Sequence, residues 1–279
     1  MSNEPVYPSV KQGVLLVLVV IALLYSVSYG LSALVANVGI PFDAAFTVAY
    51  ILSFGGVFVY GFKRAKAPIR SILPLTSVAK HIYLPIAATA VGMVILFLQC
   101  DRFYAFILER LLPSLTFSQS GIMEGASFYD VLSFVIMFIV VAPITEEPLF
   151  RGLLLRGFLA HRSRWSAILI SSLLFGAAHM NLRQFLPAVV IGGVFAWWRI
   201  ETGSVLPALI GHFLYNLAAV LSQFLYGAGT ASGVFQPIWL NAIGALLLLA
   251  GVFGLRTQFQ NLPKDADRGG IYPRKNRPD

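Results

Sequence analysis

Residues 131–160 read VLSFVIMFIVVAPITEEPLFRGLLLRGFLA, an apolar run that holds two adjacent glutamates, Glu146 and Glu147, near its middle. A helix needs only about 20 apolar residues to cross a hydrocarbon core of ~30 Å, so this run predicts a membrane span that tilts or breaks at one of its prolines. An alternative placement ends the span at Pro143 and lays the helix from Pro148 along the interface. Ionisable groups are costly in hydrocarbon unless they face partners or water, so the glutamates mark a candidate functional site.

The whole chain has the composition of a membrane protein, because 58% of its 279 residues are hydrophobic and 11% are charged. Apolar runs of about the length of a span recur along it, without the alternating pattern of a membrane β-strand. The sequence therefore predicts an all-α fold, a polytopic membrane helix bundle of about eight transmembrane helices. The runs are 13–38, 44–62, 82–100, 131–160, 165–182, 185–199, 204–225 and 236–255.

One membrane-embedded domain is predicted over residues 1–256, with a motif-bearing core at 128–222. Residues 101–130 form an outer loop in this scheme, and the stretch RFYAFILERLL within it has the spacing of an interfacial amphipathic helix. Residues 257–279 are rich in proline and charge, which predicts a disordered basic tail on the cytoplasmic side.

The positive charges predict the orientation of the chain. If the N-terminus is cytoplasmic, all 20 Lys and Arg residues except Arg102, Arg110 and Arg183 fall on the cytoplasmic side. Because positively charged loops resist translocation, both termini of this multi-pass protein are expected in the cytoplasm, with the plasma membrane of a prokaryote as its site. The formal charge of +8 is thus a topology signal that also favours anionic lipids of the bilayer. It predicts no nucleic-acid partner, since no soluble basic domain carries it.

The acidic pair and a nearby arginine have helical spacing. Glu147 and Arg151 are four residues apart and share a face, which allows an ion pair, whereas Glu146 lies about 100° around the helix and points elsewhere. The ion pair has two interpretations: a structural contact near the interface, or a support for a catalytic site.

Two further polar pairs follow at the same spacing. Phe175 and His179 share a face in the stretch FGAAH, where Gly176 thins the helix so that another backbone can approach. His212 and Asn216 share a face in the stretch HFLYN, and the asparagine alternatively ties two helices together.

A carboxylate, two imidazoles and an amide can together activate a water molecule for hydrolysis. Glu146 would take the proton of the water, and the imidazoles and the amide of Asn216 would polarise a carbonyl and steady its oxyanion. A carboxylate and two neutral imidazoles also suit zinc, which would be held by Glu146, His179 and His212 with one position left for water. Both mechanisms require these three side chains to lie within about 4–8 Å of one another.

The stretches EEPLFRG, FGAAH and HFLYN resemble the ordered motifs EExxxR, FxxxH and HxxxN of the CAAX-protease and bacteriocin-processing (CPBP) family, the Rce1-like intramembrane metalloproteases. The resemblance implies a helical membrane fold with a water-filled chamber and an endopeptidase activity. It implies that Glu146 and His179 handle the water, that His212 and Asn216 complete the site, and that the ion pair of the first motif supports it. The catalytic residues carried over are Glu146, Glu147, Arg151, His179, His212 and Asn216.

The partner implied by the resemblance is a membrane-associated peptide or protein substrate. Prenylated C-terminal peptides, bacteriocin or pheromone precursors and the tails of membrane proteins all fit this description. A non-catalytic transporter or scaffold is the alternative, because intramembrane charges also mark transport paths. The grouping of the polar residues in three adjacent spans, with no visible inverted repeat, favours the enzyme.

Overall fold

The computed structural model describes residues 6–35, 42–111, 127–226 and 235–261, and every regular element within these ranges is helical. The predicted all-α fold is therefore confirmed. A short 3-10 turn (Lys80–Ile82) precedes α4, and two π-helical turns flank α6. The helices are α1 (Val10–Val35), α2 (Phe42–Ala65), α3 (Ile69–Ile72), α4 (Tyr83–Leu111), α5 (Phe128–Ile136), α6 (Ala142–Glu147), α7 (Leu155–His161), α8 (Arg164–Ala178), α9 (Leu182–Thr202), α10 (Leu206–Tyr226) and α11 (Ile238–Gln260).

Within the described ranges, six helical runs are long and apolar enough to cross a membrane. Two shorter apolar helices, Arg164–Ala178 and Leu206–Ser222, occupy the positions of the other two predicted spans. The protein is accordingly a polytopic integral membrane protein, and the count of eight crossings stays a prediction. The six runs are Val10–Leu34, Ala44–Ala65, Lys80–Leu111, Phe128–His161, Leu182–Thr202 and Ile238–Gln260.

The chain divides into two compact units, and the first comprises residues 1–78, 140–210 and 262–279. Its apolar core joins α1 and α2 to the stretch from Leu149 to Leu159, whose larger apolar side chains are almost completely buried. In the same unit α8 and α9 pack closely at Gly176, where an added Cβ would lie 2.8 Å from the carbonyl oxygen of Phe185. The prediction that this glycine admits a neighbouring backbone is confirmed.

The second unit comprises residues 79–139 and 211–261. Its helices α4 and α11 approach each other along small residues, because a Cβ added at Gly92 would lie 2.6 Å from the backbone nitrogen of Leu248 and 2.7 Å from the carbonyl oxygen of Gly244. Such close backbone contact is typical of helix pairs inside membranes, where small residues maximise van der Waals packing.

The apolar run around the glutamates is one helical stretch, Phe128–His161, with wide π-helical turns at Met137–Val141 and Pro148–Leu154. Proline has no N–H and its ring collides with the preceding turn, so the wide turn just before Pro143 relieves both problems. The second wide turn is buried from Leu149 to Leu154. This burial favours the placement inside the helix bundle over the alternative placement along the interface, since an interfacial helix keeps one face in water.

Helix α4 continues to Leu111, so the prediction of an outer loop from residue 101 with a separate interfacial helix is wrong for residues 101–111. Neither glycine nor proline occurs between Met93 and Leu111, and without a helix breaker the span simply continues. Residues 128–130 of the predicted loop are also helical, since they begin α5, and residues 112–126 lie outside the described residues. At the other end of the chain α11 runs to Gln260, so the predicted disordered tail is wrong for residues 257–260, and its part from residue 262 also lies outside the described residues.

Candidate active site

Glu147 and Arg151 form the ion pair that their spacing predicts. The Nη1 atom of Arg151 lies 3.1 Å from Oε1 of Glu147, and both side chains are buried, with 1% and 0% exposure. Two charges withdrawn from water in this way are strongly coupled, since neither can be left alone without a large desolvation cost. The structure therefore supports an internal pair and not an exposed interfacial one.

Arg151 also joins the first motif to the second. Its Nη2 donates a hydrogen bond to the carbonyl oxygen of Gly192 at 3.3 Å. Its guanidinium carbon lies 4.2 Å from the ring centre of Phe175 and 5.4 Å from that of Phe195. A guanidinium over aromatic faces is attracted by the ring quadrupole. Phe175, the first residue of the second motif, thus helps to hold the arginine.

Glu146 contacts a different helix, as the helical rotation predicts, although its charge also acts on Arg151. Its side chain is buried, with 3% exposure, and its Oε1 accepts a hydrogen bond from the hydroxyl of Tyr50. Tyr50 lies on α2, and its ring stacks on that of Phe54 with centres 4.4 Å apart. The two adjacent glutamates therefore have different partners on different elements of the first unit.

His179 lies at the end of α8 and is partly buried. Its Nδ1 lies 2.8 Å from the carbonyl oxygen of Phe175, and its ring meets that of Phe175 edge-on with centres 5.1 Å apart. A carbonyl oxygen can only accept, so this hydrogen bond requires the proton on Nδ1. The neutral ring then presents Nε2 as its lone-pair nitrogen, which can bind a proton or a metal.

The turn after His179 ends the span earlier than residue 182, where the apolar pattern placed its end. Met180 has a positive φ of 49°, and Asn181 begins α9 by accepting a hydrogen bond from the backbone N–H of Arg183 at 2.9 Å. Asparagine is a preferred residue at this position. This polar residue was the one sequence signal that marked the boundary.

His212 and Asn216 lie on α10 and belong to the second unit. His212 is buried, with 5% exposure. The Nδ2 atom of Asn216 donates a hydrogen bond of 2.7 Å to the carbonyl oxygen of Phe138 in the first wide turn. Wide turns near prolines leave backbone carbonyls that need a new donor. Asn216 therefore ties two helices of its unit together, as the alternative interpretation of this residue predicts.

The structure thus brings Glu146, Glu147, Arg151 and His179 into one unit with Phe175, and places the third motif in the other. The convergence of His212 on Glu146 and His179 stays a prediction. Within the described residues, no three His, Cys, Asp or Glu side chains stand together as metal ligands. The zinc held by Glu146, His179 and His212 therefore stays a prediction as well.

A segment that holds all three motifs, residues 128–218, matches the family "Type II CAAX prenyl endopeptidase Rce1-like". This confirms that the segment is Rce1-like. The chain is 26% identical over 142 residues to the "Putative membrane peptidase YdiL" of Bacillus subtilis (strain 168), a match that covers 48% of this chain and 58% of that protein. It is 36% identical over 94 residues to an "Uncharacterized 24.3 kDa protein" of Escherichia coli, covering 31% and 42%. No solved structure matches the chain.

Proposed function

We propose that the protein is an intramembrane endopeptidase that hydrolyses peptide bonds of membrane-associated peptides or proteins with a water activated by Glu146 and His179. One observation carries the proposal: the two adjacent glutamates have separate tasks in an Rce1-like segment. Glu147 neutralises Arg151, so Glu146, held by Tyr50, is the carboxylate assigned to the chemistry. A carboxylate in this position can take the proton of a water and later deliver it to the leaving amine.

The other motif residues receive roles that fit their contacts. His179, with its proton on Nδ1, uses Nε2 to orient the attacking water. Asn216 donates one amide hydrogen to the carbonyl oxygen of Phe138. Its second amide hydrogen would donate to the oxyanion of the tetrahedral intermediate. His212 is the second oxyanion donor in this scheme, in which the attacking oxygen comes from water and no serine or cysteine acts as a nucleophile.

The substrate we propose is the end of a peptide or protein already associated with the bilayer. A prenylated C-terminal peptide is one such chain, and the description of the matching family names a CAAX prenyl endopeptidase. Peptide precursors and membrane-protein tails are the other classes. The excess of positive charge on one side supports an orientation in the plasma membrane of a prokaryote with both termini in the cytoplasm. We place the site so that water reaches it from the cytoplasmic side.

A comparison of peptide termini tests the activity without knowledge of the substrate. Cells lacking the protein are complemented with the wild type, with Glu146→Gln, or with Glu201→Gln. The last variant alters an acidic residue of α9 that belongs to none of the three motifs. Mass spectrometry of membrane and secreted peptides should find a set of new termini in the wild type and in Glu201→Gln that is absent from Glu146→Gln. Immunoblots should show equal membrane levels. Identical termini in the wild type and Glu146→Gln would overturn the proposal.

Zinc is proposed separately, as the metal that Glu146, His179 and His212 would suit. The test is metal analysis of the purified protein, followed by chelation and zinc re-addition with a quenched peptide built on a cleavage site found above. Activity lost on chelation and restored by zinc would support the metal. Full activity in metal-free protein would leave the water activated by Glu146 alone.

A further inference from the structure

We infer that Tyr50 is a positioning residue of the active site, which fixes the orientation of the Glu146 carboxylate from a helix outside the family segment. The inference rests on the proposed function, since it deepens the role given to Glu146. Tyr50 lies on α2 (Phe42–Ala65), 96 positions away from Glu146 in the sequence, and its hydroxyl donates to Oε1. None of the three motifs includes it, and it precedes the matching segment 128–218.

The first argument is that the tyrosine is held in place by its own helix. Its ring stacks on Phe54 with centres 4.4 Å apart and an interplanar angle of 18°, and it meets Phe46 at 6.0 Å and 52°. These residues are four apart, so they form one aromatic row along α2. Tyrosine has few rotatable bonds, and a ring packed on both sides presents its hydroxyl at a fixed point.

The second argument is that a glutamate needs such a contact. The terminal torsion of its side chain is broad, so a carboxylate without a fixed partner rotates over a wide range. A donor on Oε1 selects one orientation, and the second oxygen then keeps a constant direction. A general base must lie within hydrogen-bond reach of the proton it removes, so a constant direction favours proton transfer.

The third argument is that the hydroxyl group next to Glu146 on its own helix is not the one that orients the carboxylate. Thr145 precedes Glu146 directly, but its hydroxyl lies 2.8 Å from the carbonyl oxygen of Val141 and 3.1 Å from that of Ala142. It is thus engaged with the preceding turn of its own helix. The hydroxyl of Tyr50, in contrast, donates directly to the Glu146 carboxylate.

The test uses Tyr50→Phe, which keeps the aromatic row and removes only the hydroxyl. The matched control is Tyr60→Phe, because Tyr60 is on the same helix and is 56% exposed. With the quenched peptide described above, Tyr50→Phe should lower kcat by about tenfold to a hundredfold, the range for a hydrogen bond to a charged group. KM should stay within about twofold, because the contact orients the base and does not hold the substrate. Tyr60→Phe should match the wild type.

A double-mutant cycle based on melting temperatures detects the contact between Tyr50 and Glu146 without an activity assay. Tyr50→Phe should lower the melting temperature of the otherwise wild-type protein. In a Glu146→Leu background the same substitution should leave the melting temperature unchanged or raise it, because the hydroxyl then has no carboxylate partner. Equal effects in both backgrounds would overturn the hydrogen bond. A clear coupling combined with unchanged kcat would show a structural contact only and overturn the positioning role. If instead Glu146→Gln is as active as the wild type, the proposed function fails, while the coupling still reports on the contact.

Discussion

The replacement of Glu147 by glutamine keeps the shape of the side chain and removes its charge. In the wild type Glu147 lies 3.1 Å from Arg151, and both are shielded from solvent. The variant leaves a buried guanidinium with the carbonyl of Gly192, aromatic rings such as that of Phe175, and Glu146 as the remaining carboxylate that acts on its charge. The carbonyl and the rings attract the cation but do not neutralise it, and Glu146 acts on it more weakly than Glu147 does.

The expected loss is large because one buried charge stays behind without its partner. Removing one member of a buried pair costs about 3–5 kcal/mol, and the contacts that remain place the value near the lower end, about 3 kcal/mol. With about 2–4 °C per kcal/mol for a chain of this size class, the melting temperature should fall by roughly 6–12 °C. Thermal unfolding of the purified protein in detergent measures this directly.

Two further variants test the reasoning behind the expected loss of stability in Glu147→Gln. Removing both charges in Glu147→Gln with Arg151→Met should restore much of the lost stability, since no unpaired ion is left. The control is Glu201→Gln, which breaks the partly exposed pair of Glu201 and Arg164 and should cost about 1 kcal/mol or less. A Glu147→Gln protein as stable as the control, or a double variant weaker than either single one, would refute the argument.

Three other predictions follow from the packing, from a buried cation and from the charge distribution. Gly176→Ala should destabilise the protein by about 1–3 kcal/mol, because the new Cβ would press on the carbonyl of Phe185, whereas Gly55→Ala, with nothing within 4 Å, should be neutral or slightly stabilising. Equal melting temperatures would contradict the close approach of α8 and α9. Arg199 is fully buried, and its guanidinium nitrogens have no hydrogen-bond partner among the described residues, so Arg199→Leu should keep or raise the melting temperature; a marked drop would reveal an anionic partner. Finally, single cysteines placed beside the two termini of a Cys100→Ser protein should react only from the cytoplasmic side, and labelling of either from outside would contradict the predicted topology.

The local features of the site could be predicted because they depend on neighbours in the sequence. The ion pair of Glu147 with Arg151 follows from a spacing of four, and the diverging direction of Glu146 follows from the rotation per residue. The close approach at Gly176 likewise follows from its missing side chain. Such statements need no knowledge of which helix lies opposite.

The features that were missed depend on contacts between distant parts of the chain or on the absence of a signal. Nothing in the spacing of the motifs indicates that Tyr50, on α2, meets Glu146. The extension of α4 to Leu111 was missed because a span and an interfacial helix have the same periodicity when no breaker separates them. The prolines indicated an irregularity, but whether a proline bends, breaks or widens a helix depends on what packs around it.

The wide turn Pro148–Leu154 has a consequence for recognising active relatives of this protein. A π-helical turn holds one residue more than an α-helical turn. Deleting a single residue between Arg151 and Leu155 would therefore let this turn close to α-helical spacing while the faces of α6 and α7 stay nearly unchanged, so Glu146 would still face α2. The same deletion within the regular helix α7 would rotate the residues after it by about 100°. Relatives that have one residue fewer in the wide turn can thus keep the same site, and a search for active homologues should allow a one-residue gap there and not within α7.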